Sequence, residues 1–297
     1  MKNARPSPFP KVGLMSKYPH LNSGWSLDQR NPKVIQSLMP WWEWLYRYYF
    51  RVQTSGWHHI PSQGKVLFVG SHNGGLAAPD MFMMIYDWFR WFGPDRPIYG
   101  LMHPHVWKVA PVVAHLLTQV GAVRAHPKIA IAALRRNASV LVYPGGARDM
   151  FRPHTLRHKI CMDNNQAFIK LALLENIPLI PVISYGAHDT LMVLADCYPL
   201  AQQLLNKLGM PWLLDLCPGV FPVYLGIPWG LALGPLPNVP LPVPIHTHVC
   251  PPIRFEHYGQ AVSNDRDYVN ACYRHFCTQM QRELDNLVQR VEQRYIY

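Results

Sequence analysis

The sequence predicts an α/β fold: a central, mostly parallel sheet flanked by helices, with an N-terminal arm and helix ahead of it and an amphipathic helix behind. Two observations carry this. Short apolar runs of strand type, such as residues 65–69 and 139–143, alternate with longer helical stretches, the order expected of βαβ units. Several of those runs also close on polar or glycine-rich turns, as at the carboxyl edge of a parallel sheet.

Taken in order, residues 1–33 are rich in Pro, Ser and Asn and read as an extended arm. A helix is expected over 40–52, with Pro40 in its first turn. A strand over 65–69 ends at the loop that starts with Ser71, and a helix over 81–92 follows. A strand over 97–101, a helix over 106–118, a strand over 120–124 and a helix over 127–137 come next. Residues 139–143 form the clearest buried strand, closed by Pro144-Gly145-Gly146. A helix over 165–175 and a strand over 178–184 complete the alternation. The Pro-rich stretch 218–244 is expected to break regular structure, and residues 246–249 to add a late strand. Residues 265–293 read as a long amphipathic helix, with Tyr268, Cys272, Phe276, Met280, Leu284 and Leu287 near one face.

Composition narrows the partners. The 297 residues are 49% hydrophobic and only 15% charged, yet carry a formal net charge of +11. Such an excess suits an anionic membrane surface, an anionic substrate or nucleic acid. No zinc-finger spacing, dense basic tract or aromatic single-strand platform is present, so nucleic acid ranks last. The six cysteines are scattered without a Cys-x-x-Cys pair and read as small buried hydrophobes in a reducing compartment. No apolar segment of signal-peptide type follows Lys2 and Arg5, so no secretory leader is expected. No stretch makes a regular spanning helix. Residues 211–237, with Asp215 their single charge, are expected to lie in the membrane interface or to roof an apolar pocket. Residues 41–50 crowd aromatics around Glu43 and Arg47, a pattern suited equally to a headgroup boundary and to a docked helix.

The loop after the first long strand holds the chemistry. Ser71-His72-Asn73-Gly74-Gly75 is followed by Asp80. A histidine that takes a proton needs a partner to fix its tautomer, and Asp80 can serve Nδ1 of His72 if the loop folds back. Glycines at 74 and 75 let backbone N–H groups approach a developing oxyanion. No Gly-x-Ser-x-Gly elbow is present, which favours direct transfer to an external hydroxyl over a covalent enzyme intermediate. By spacing alone, His72 reads equally as a loop histidine satisfied within the fold. Gly145-Gly146, Arg124 and the segment Tyr185-Gly186-Ala187-His188-Asp189 lie at other strand ends, so four polar loops are expected to converge. His188 and Asp189 read as a turn before they read as a second pair. His103-x-His105 and His246-x-His248 have metal-ligand spacing without a Cys, Asp or Glu set to complete it; no metal is expected. Neither a dinucleotide fingerprint nor a Walker loop is present, and no cofactor is expected.

Three blocks in order, Ser71-His72-Asn73-Gly74-Gly75 to Pro79-Asp80, then Val142-Tyr143-Pro144-Gly145-Gly146-Ala147-Arg148, then Ile177-Pro178-Leu179-Ile180-Pro181-Val182, resemble the glycerolipid and lysophospholipid acyltransferase superfamily. The resemblance spans roughly residues 50–255. It implies that His72 and Asp80 supply the base, that a glycine-containing turn with Arg148 follows a strand, and that a later apolar strand closes the site. Seven residues separate His72 from Asp80, where the family's motif has four. The family's Glu-Gly-Thr-Arg turn is Gly145-Gly146-Ala147-Arg148 here, without the glutamate associated with a glycerol-phosphate acceptor. The Gly-Gly form is closer to the diacylglycerol acyltransferase-like branch, whose acceptors are neutral alcohols.

The resemblance implies an O-acyltransferase that takes acyl groups from acyl-CoA or acyl carrier protein to a lipid acceptor. That acceptor is a neutral alcohol or otherwise a lysophospholipid, and the protein works at the cytoplasmic face of a membrane. Arg148 binds phosphate in this reading, with Arg152, Arg157, His158 and Lys159 in a basic cluster behind it; Arg124 lies near the position of the family's second-block arginine. Residues 1–52 form the arm and aromatic helix. Residues 53–297 form the acyltransferase domain, including the apolar segment 211–244 and the terminal helix. A lipid esterase and a non-catalytic lipid-binding protein are the alternatives.

Overall fold

Leu67 and Val69 pack into one hydrophobic cluster, and Phe68 between them packs into another. Val140 and Leu141 divide in the same way, as do Leu179 and Ile180. Strands buried on both faces read as continuous apolar runs, which is why these runs stand out in the sequence. In the computed structural model, residues 23–207 and 219–294 are described.

The first element among the described residues is α1 (Pro32–Trp44), continued by a π-helical turn, Leu45–Tyr49, and then β1 (Gln53–Ser55). The first helix starts eight residues before the expected position. Asn31 caps it, its side chain accepting from the Lys33 N–H at 3.0 Å, and Pro32 takes the first-turn position that had been given to Pro40. Next come β2 (Leu67–Gly70), α2 (Pro79–Phe92) and β3 (Ile98–Met102). The single helix expected over 106–118 is two, α3 (Val106–Val109) and α4 (Pro111–Gln119). They break at Ala110, because a proline disfavours helical backbone in the residue before it.

The alternation continues with β4 (Ala122–Arg124), α5 (Pro127–Arg135), β5 (Ser139–Val142) and α6 (Gly146–Met150). After these come α7 (Ala167–Glu175), β6 (Leu179–Tyr185), β7 (Met192–Asp196) and α8 (Tyr198–Lys207). The chain ends with β8 (Pro222–Gly226), β9 (Gly230–Leu233), β10 (His246–Val249), α9 (Gln260–Asn264) and α10 (Arg266–Arg294).

Seven strands form the main sheet in the order β1-β10-β6-β2-β5-β3-β4. β2 runs parallel to both β5 and β6, and β3 parallel to β5 and β4. Only the β10–β6 junction is antiparallel, so the sheet is mostly parallel with helices on both faces. One face packs against α5, α7 and α10, whose Phe276, Met280 and Leu284 share a cluster with Leu67 and Val140. The other packs against α1 and α2 through Ile35, Trp42, Met83, Trp88 and Phe89. The aromatic segment 41–50 is thereby split. Trp42, Tyr46 and Phe50 are buried, while Trp41, Trp44 and Tyr48 stay exposed.

A second, antiparallel sheet has the order β7-β8-β9. The Pro-rich stretch expected to be irregular therefore contains two paired strands; its prolines and glycines mostly stand at strand ends and turns, where they cost no ladder hydrogen bond. Val193, Tyr224 and Ala232 face inward against Phe151 and Leu191. Met192, Leu194, Leu225, Leu231 and Leu233 lie exposed. The expectation for residues 211–218 lies outside the described residues.

Candidate active site

β2 lies in the middle of the main sheet, and its carboxyl end opens into the Ser71–Asp80 loop. Its neighbours β5 and β6 end in the Tyr143–Gly146 and Gly186–Thr190 turns, so three of the four expected loops leave adjacent strands. The fourth does not join them. Arg124 ends β4, the edge strand, with β5 and β3 between it and β2. There it donates to the Ser23 carbonyl at 3.1 Å, and its guanidinium lies over the Trp25 ring.

His72 and Asp80 are brought together. Both are buried, and Nδ1 of His72 lies 3.4 Å from Oδ1 of Asp80. The approach is of ion-pair type, without an aligned hydrogen bond at Nδ1, a geometry common in catalytic pairs before substrate binds. The long spacer closes because residues Gly75–Ala77 form a single 3-10 turn and Ala78 takes a left-handed φ of 44°. That reversal starts α2 at Pro79 and sets Asp80 in its first turn. Oδ1 of Asp80 accepts from the Met81 N–H at 2.8 Å, and Oδ2 from Nδ2 of Asn73 at 3.3 Å.

The Tyr143 ring lies 4.6 Å from that of His72, centroid to centroid. Only glycine fits beneath it: a Cβ on Gly70 would stand 2.2 Å from Tyr143 Cε1. Burial, with the charges of Asp80 and Asp149, holds the Tyr143 phenol well above its ordinary pKa. Gly75 is fixed by a close approach of the same kind. It takes a φ of +66°, and a Cβ there would meet Leu191 Cδ2 at 2.5 Å and Asn238 Oδ1 at 2.9 Å. The carbonyl of neighbouring Gly74 accepts from Asn238 Nδ2 at 3.3 Å.

Two groups hold this loop: Asp149, which sequence reasoning missed, and Arg152, which it placed in the phosphate-binding cluster and which the fold buries instead. Asp149, fully buried on α6, accepts from Ser71 Oγ at 3.1 Å and from the backbone N–H of His72. Arg152, also buried, donates from Nη1 to Asp149 Oδ1 at 2.9 Å and to the His72 carbonyl at 2.8 Å, and from Nη2 to Asn73 Oδ1. Burial pushes the Asp149 carboxyl up to about 6, partly offset by Arg152. Asp80 thus approaches the ring of His72 while Asp149 and Arg152 fix its backbone. The usable signal was the Gly145-Gly146 turn followed, three residues apart, by Asp149 on the short α6 and Arg152 just past its end.

The remaining expected residues divide. Gly145 and Gly146 open α6; a Cβ on Gly145 would stand 2.0 Å from the Cys161 carbonyl oxygen, so this turn brings Asp149 inward only without one. Arg148 is exposed on the same helix and pairs with Asp163 at 2.8 Å. Arg157 lies 3.8 Å from Asp189, and Lys159 is exposed. His188 and Asp189 form a turn and not a pair. His188 is buried with Nε2 2.8 Å from the Arg152 carbonyl, and Asp189 instead meets His154 Nε2 at 2.7 Å. Burial, with Arg152 nearby, drives the His188 pKa down to about 3, so it stays neutral.

A histidine–carboxylate pair at the carboxyl end of a central strand, bordered by a Gly-Gly turn, is a plan shared by unrelated enzymes, and a comparison with known families decides between them. The model of the family described as diacylglycerol acyltransferase matches residues 101–294. The chain belongs to the diacylglycerol acyltransferase family. It is an acyltransferase of glycerolipid type. The chain is similar to 2-acylglycerol O-acyltransferase 1 of Mus musculus, 22% identical over 233 residues that cover 74% of this chain and 69% of the mouse protein. It is also similar to an uncharacterised protein of Mycobacterium leprae, 25% identical over 205 residues, 69% of this chain and 51% of that one. An uncharacterised Mycobacterium tuberculosis protein is 24% identical over 224 residues. The chain thus spans about half the length of these mycobacterial relatives. Among solved structures, it is similar to the 1-acyl-sn-glycerophosphate acyltransferase PlsC of Thermotoga maritima, with a TM-score of 0.44 and 15% identity over 84% of this chain and 79% of that one.

The span matched by the diacylglycerol acyltransferase family contains Tyr143, Asp149, Arg152 and α10, and begins after His72 and Asp80. The roles of that pair therefore rest on its geometry.

Proposed function

We propose that this acyltransferase moves a fatty acyl group from a thioester, acyl-CoA or acyl carrier protein, to the hydroxyl of a neutral lipid alcohol such as diacylglycerol or a long-chain or isoprenoid alcohol. The observation that carries the reading is the 3.4 Å approach of His72 Nδ1 to Asp80 in a buried loop at the end of β2. With Nδ1 turned to the carboxylate, Nε2 is the ring atom left to meet an acceptor. The neutral acceptor is supported by the Gly145-Gly146 turn without its glutamate, and by likeness to a protein named for acylating a 2-acylglycerol.

In this mechanism Nε2 of His72 takes the proton of the acceptor hydroxyl as its oxygen attacks the thioester carbonyl. Asp80 steadies the imidazolium that forms. Backbone N–H groups at Gly74 and Gly75 stabilise the tetrahedral oxyanion. The C–S bond then breaks, and the imidazolium returns its proton to the leaving thiolate. The ester and the free thiol are released, and the histidine is neutral again. Arg148, with Arg157 and Lys159 behind it, meets donor phosphate by exchanging its Asp163 partner for the anion.

Access to a lipid acceptor comes through peripheral contact with the cytoplasmic face of a membrane. Among the described residues no helix is long and apolar enough to cross one. The contact is supported by the outer face of β7-β8-β9, where Leu231 is 64% exposed and Leu233 59%, and by the net positive charge. The cluster inside that sheet borders the Ser71–Asp80 loop: Leu191 packs with Val193 and Tyr224 and would stand 2.5 Å from a Cβ on Gly75.

Lipid profiling of cells that overexpress the wild type or His72→Ala tests the reading. A neutral ester that accumulates with the wild type alone names both reactants. Free fatty acid released from a thioester and never suppressed by added alcohols would make the protein a hydrolase.

A further inference from the structure

The strand β10 carries a second cluster of reactive side chains, unconnected with acyl transfer. His246 and His248 on it and Cys250, one residue past its end, alternate with Thr247 and Val249, and extended backbone points every second side chain to the same face. Cys250 packs in the cluster beneath α10, whereas Val249 packs in the opposite one. The face bearing the two histidines and the cysteine therefore looks toward α10. That helix brings Glu283 down onto it.

We propose that His248, Cys250 and Glu283 bind one divalent transition-metal ion, zinc by the character of its donors. One ligand atom from each residue lies within 4.8 Å of the other two, and both His248 and Cys250 are buried. A thiolate, an imidazole and a carboxylate converging in this way are the donor set that zinc accepts, and the sulfur disfavours magnesium and calcium. The sequence alone leaves His246-x-His248 without partners; the fold supplies a cysteine from just past the strand and a carboxylate from a helix more than thirty residues away.

The residues behind these ligands suit a metal as well. Ser55, paired with His248 across the β1–β10 ladder, bonds its Nδ1 through Oγ at 2.8 Å. A ligand histidine is oriented by such a contact on its other ring nitrogen, and here it leaves Nε2 as the free donor. His59 is close by, its ring 6.3 Å from that of His248 and its Nδ1 2.9 Å from the Val249 carbonyl. Three protein donors leave a fourth position for water. The ion would join the only antiparallel part of the main sheet to the terminal helix, so its role is to hold α10 in place.

The test uses the purified full-length chain, stripped with chelator and titrated with Co(II). One equivalent should bind and give the charge-transfer absorption of a cobalt–thiolate bond, and Zn(II) should abolish that absorption by displacement. Glu283→Gln, at a half-buried helix position, should weaken binding by more than about tenfold while the fold is kept. Cys250→Ser should remove the charge-transfer band, and Cys277→Ser should leave it unchanged. Zn(II) should raise the melting temperature of the wild type and not that of Glu283→Gln. A wild type without the band, or a band that survives in Cys250→Ser, overturns the proposal. So does a zinc-dependent melting shift that is the same in Glu283→Gln.

Discussion

Arg152 donates to the main-chain carbonyl of His72 at 2.8 Å while its charge is met by Asp149 at 2.9 Å. The residue that carries the candidate base is therefore gripped by a buried ion pair from the neighbouring strand's loop. Removing one member leaves the other charged, buried and unpaired, which costs about 3–5 kcal/mol. Arg152→Met should lose that much in chemical denaturation. The double variant Arg152→Met/Asp149→Asn should lose less than the two single losses added together, since the groups are in contact.

The same carboxyl gives a pH signature. Its pKa is raised by burial from 3.8 to about 6 in the folded protein. Between these values the native state holds a proton that the unfolded chain has released, so Asp149 contributes stability below about pH 4 and loses it as the pH rises through about 6. Unfolding free energy of the wild type minus that of Asp149→Asn should fall across this window and level off above it. His188 has the opposite slope. Lowered from 6.5 to about 3, it contributes stability fully present above pH 6.5 and lost as the pH falls toward 3. The wild type minus His188→Gln should therefore rise with pH over that range. A difference curve with the reverse sign for either residue rejects its assignment as a buried, charge-disfavouring site.

Gly75→Ala should be costly for a residue that adds one methyl group. The positive φ and the close approach of Leu191 and Asn238 together predict a loss of about 1–3 kcal/mol and a fall in acyl transfer, read by thermal melting and by product formation. Full activity with an unchanged melting temperature would show that the loop tolerates a side chain there.

The outer face of β7-β8-β9 is testable without touching the candidate catalytic loop. Leu231→Asp/Leu233→Asp should weaken sedimentation with anionic vesicles by more than about tenfold, because each leucine withdrawn from water contributes roughly 1.5–3 kcal/mol. The melting temperature should hold, since both side chains are already exposed. Equal vesicle binding by the variant would place the lipid contact elsewhere.

Much of this architecture was legible in the sequence because the central strands are buried on both faces and closed by turns. β10 and the long α10 emerge where periodicity places them, within a residue. The start of α1 was misplaced because two prolines, Pro32 and Pro40, each suit a first turn, and the Asn31 cap that decides between them acts through a side-chain bond. β1 is three residues of polar character, too short for a pattern. β8 and β9 were hidden by prolines and glycines that mark their turns. Of the site, His72 and Asp80 were readable as a pair; Asp149 was not, and Arg152 was read as a phosphate ligand, because their meeting with His72 depends on β5 lying beside β2. Arg124 was displaced for the same reason, since the order of strands in space differs from their order in the chain.

The most direct measurement is the rate of ester formation by the purified protein, with an acyl thioester and a neutral lipid alcohol, for the wild type, His72→Ala and Asp80→Asn. Loss of a positioned base predicts a fall in kcat of about 10²–10⁴-fold for His72→Ala, and a smaller fall for Asp80→Asn, with the folded structure intact in both. A His72→Ala protein that still makes ester at close to the wild-type rate would contradict the account.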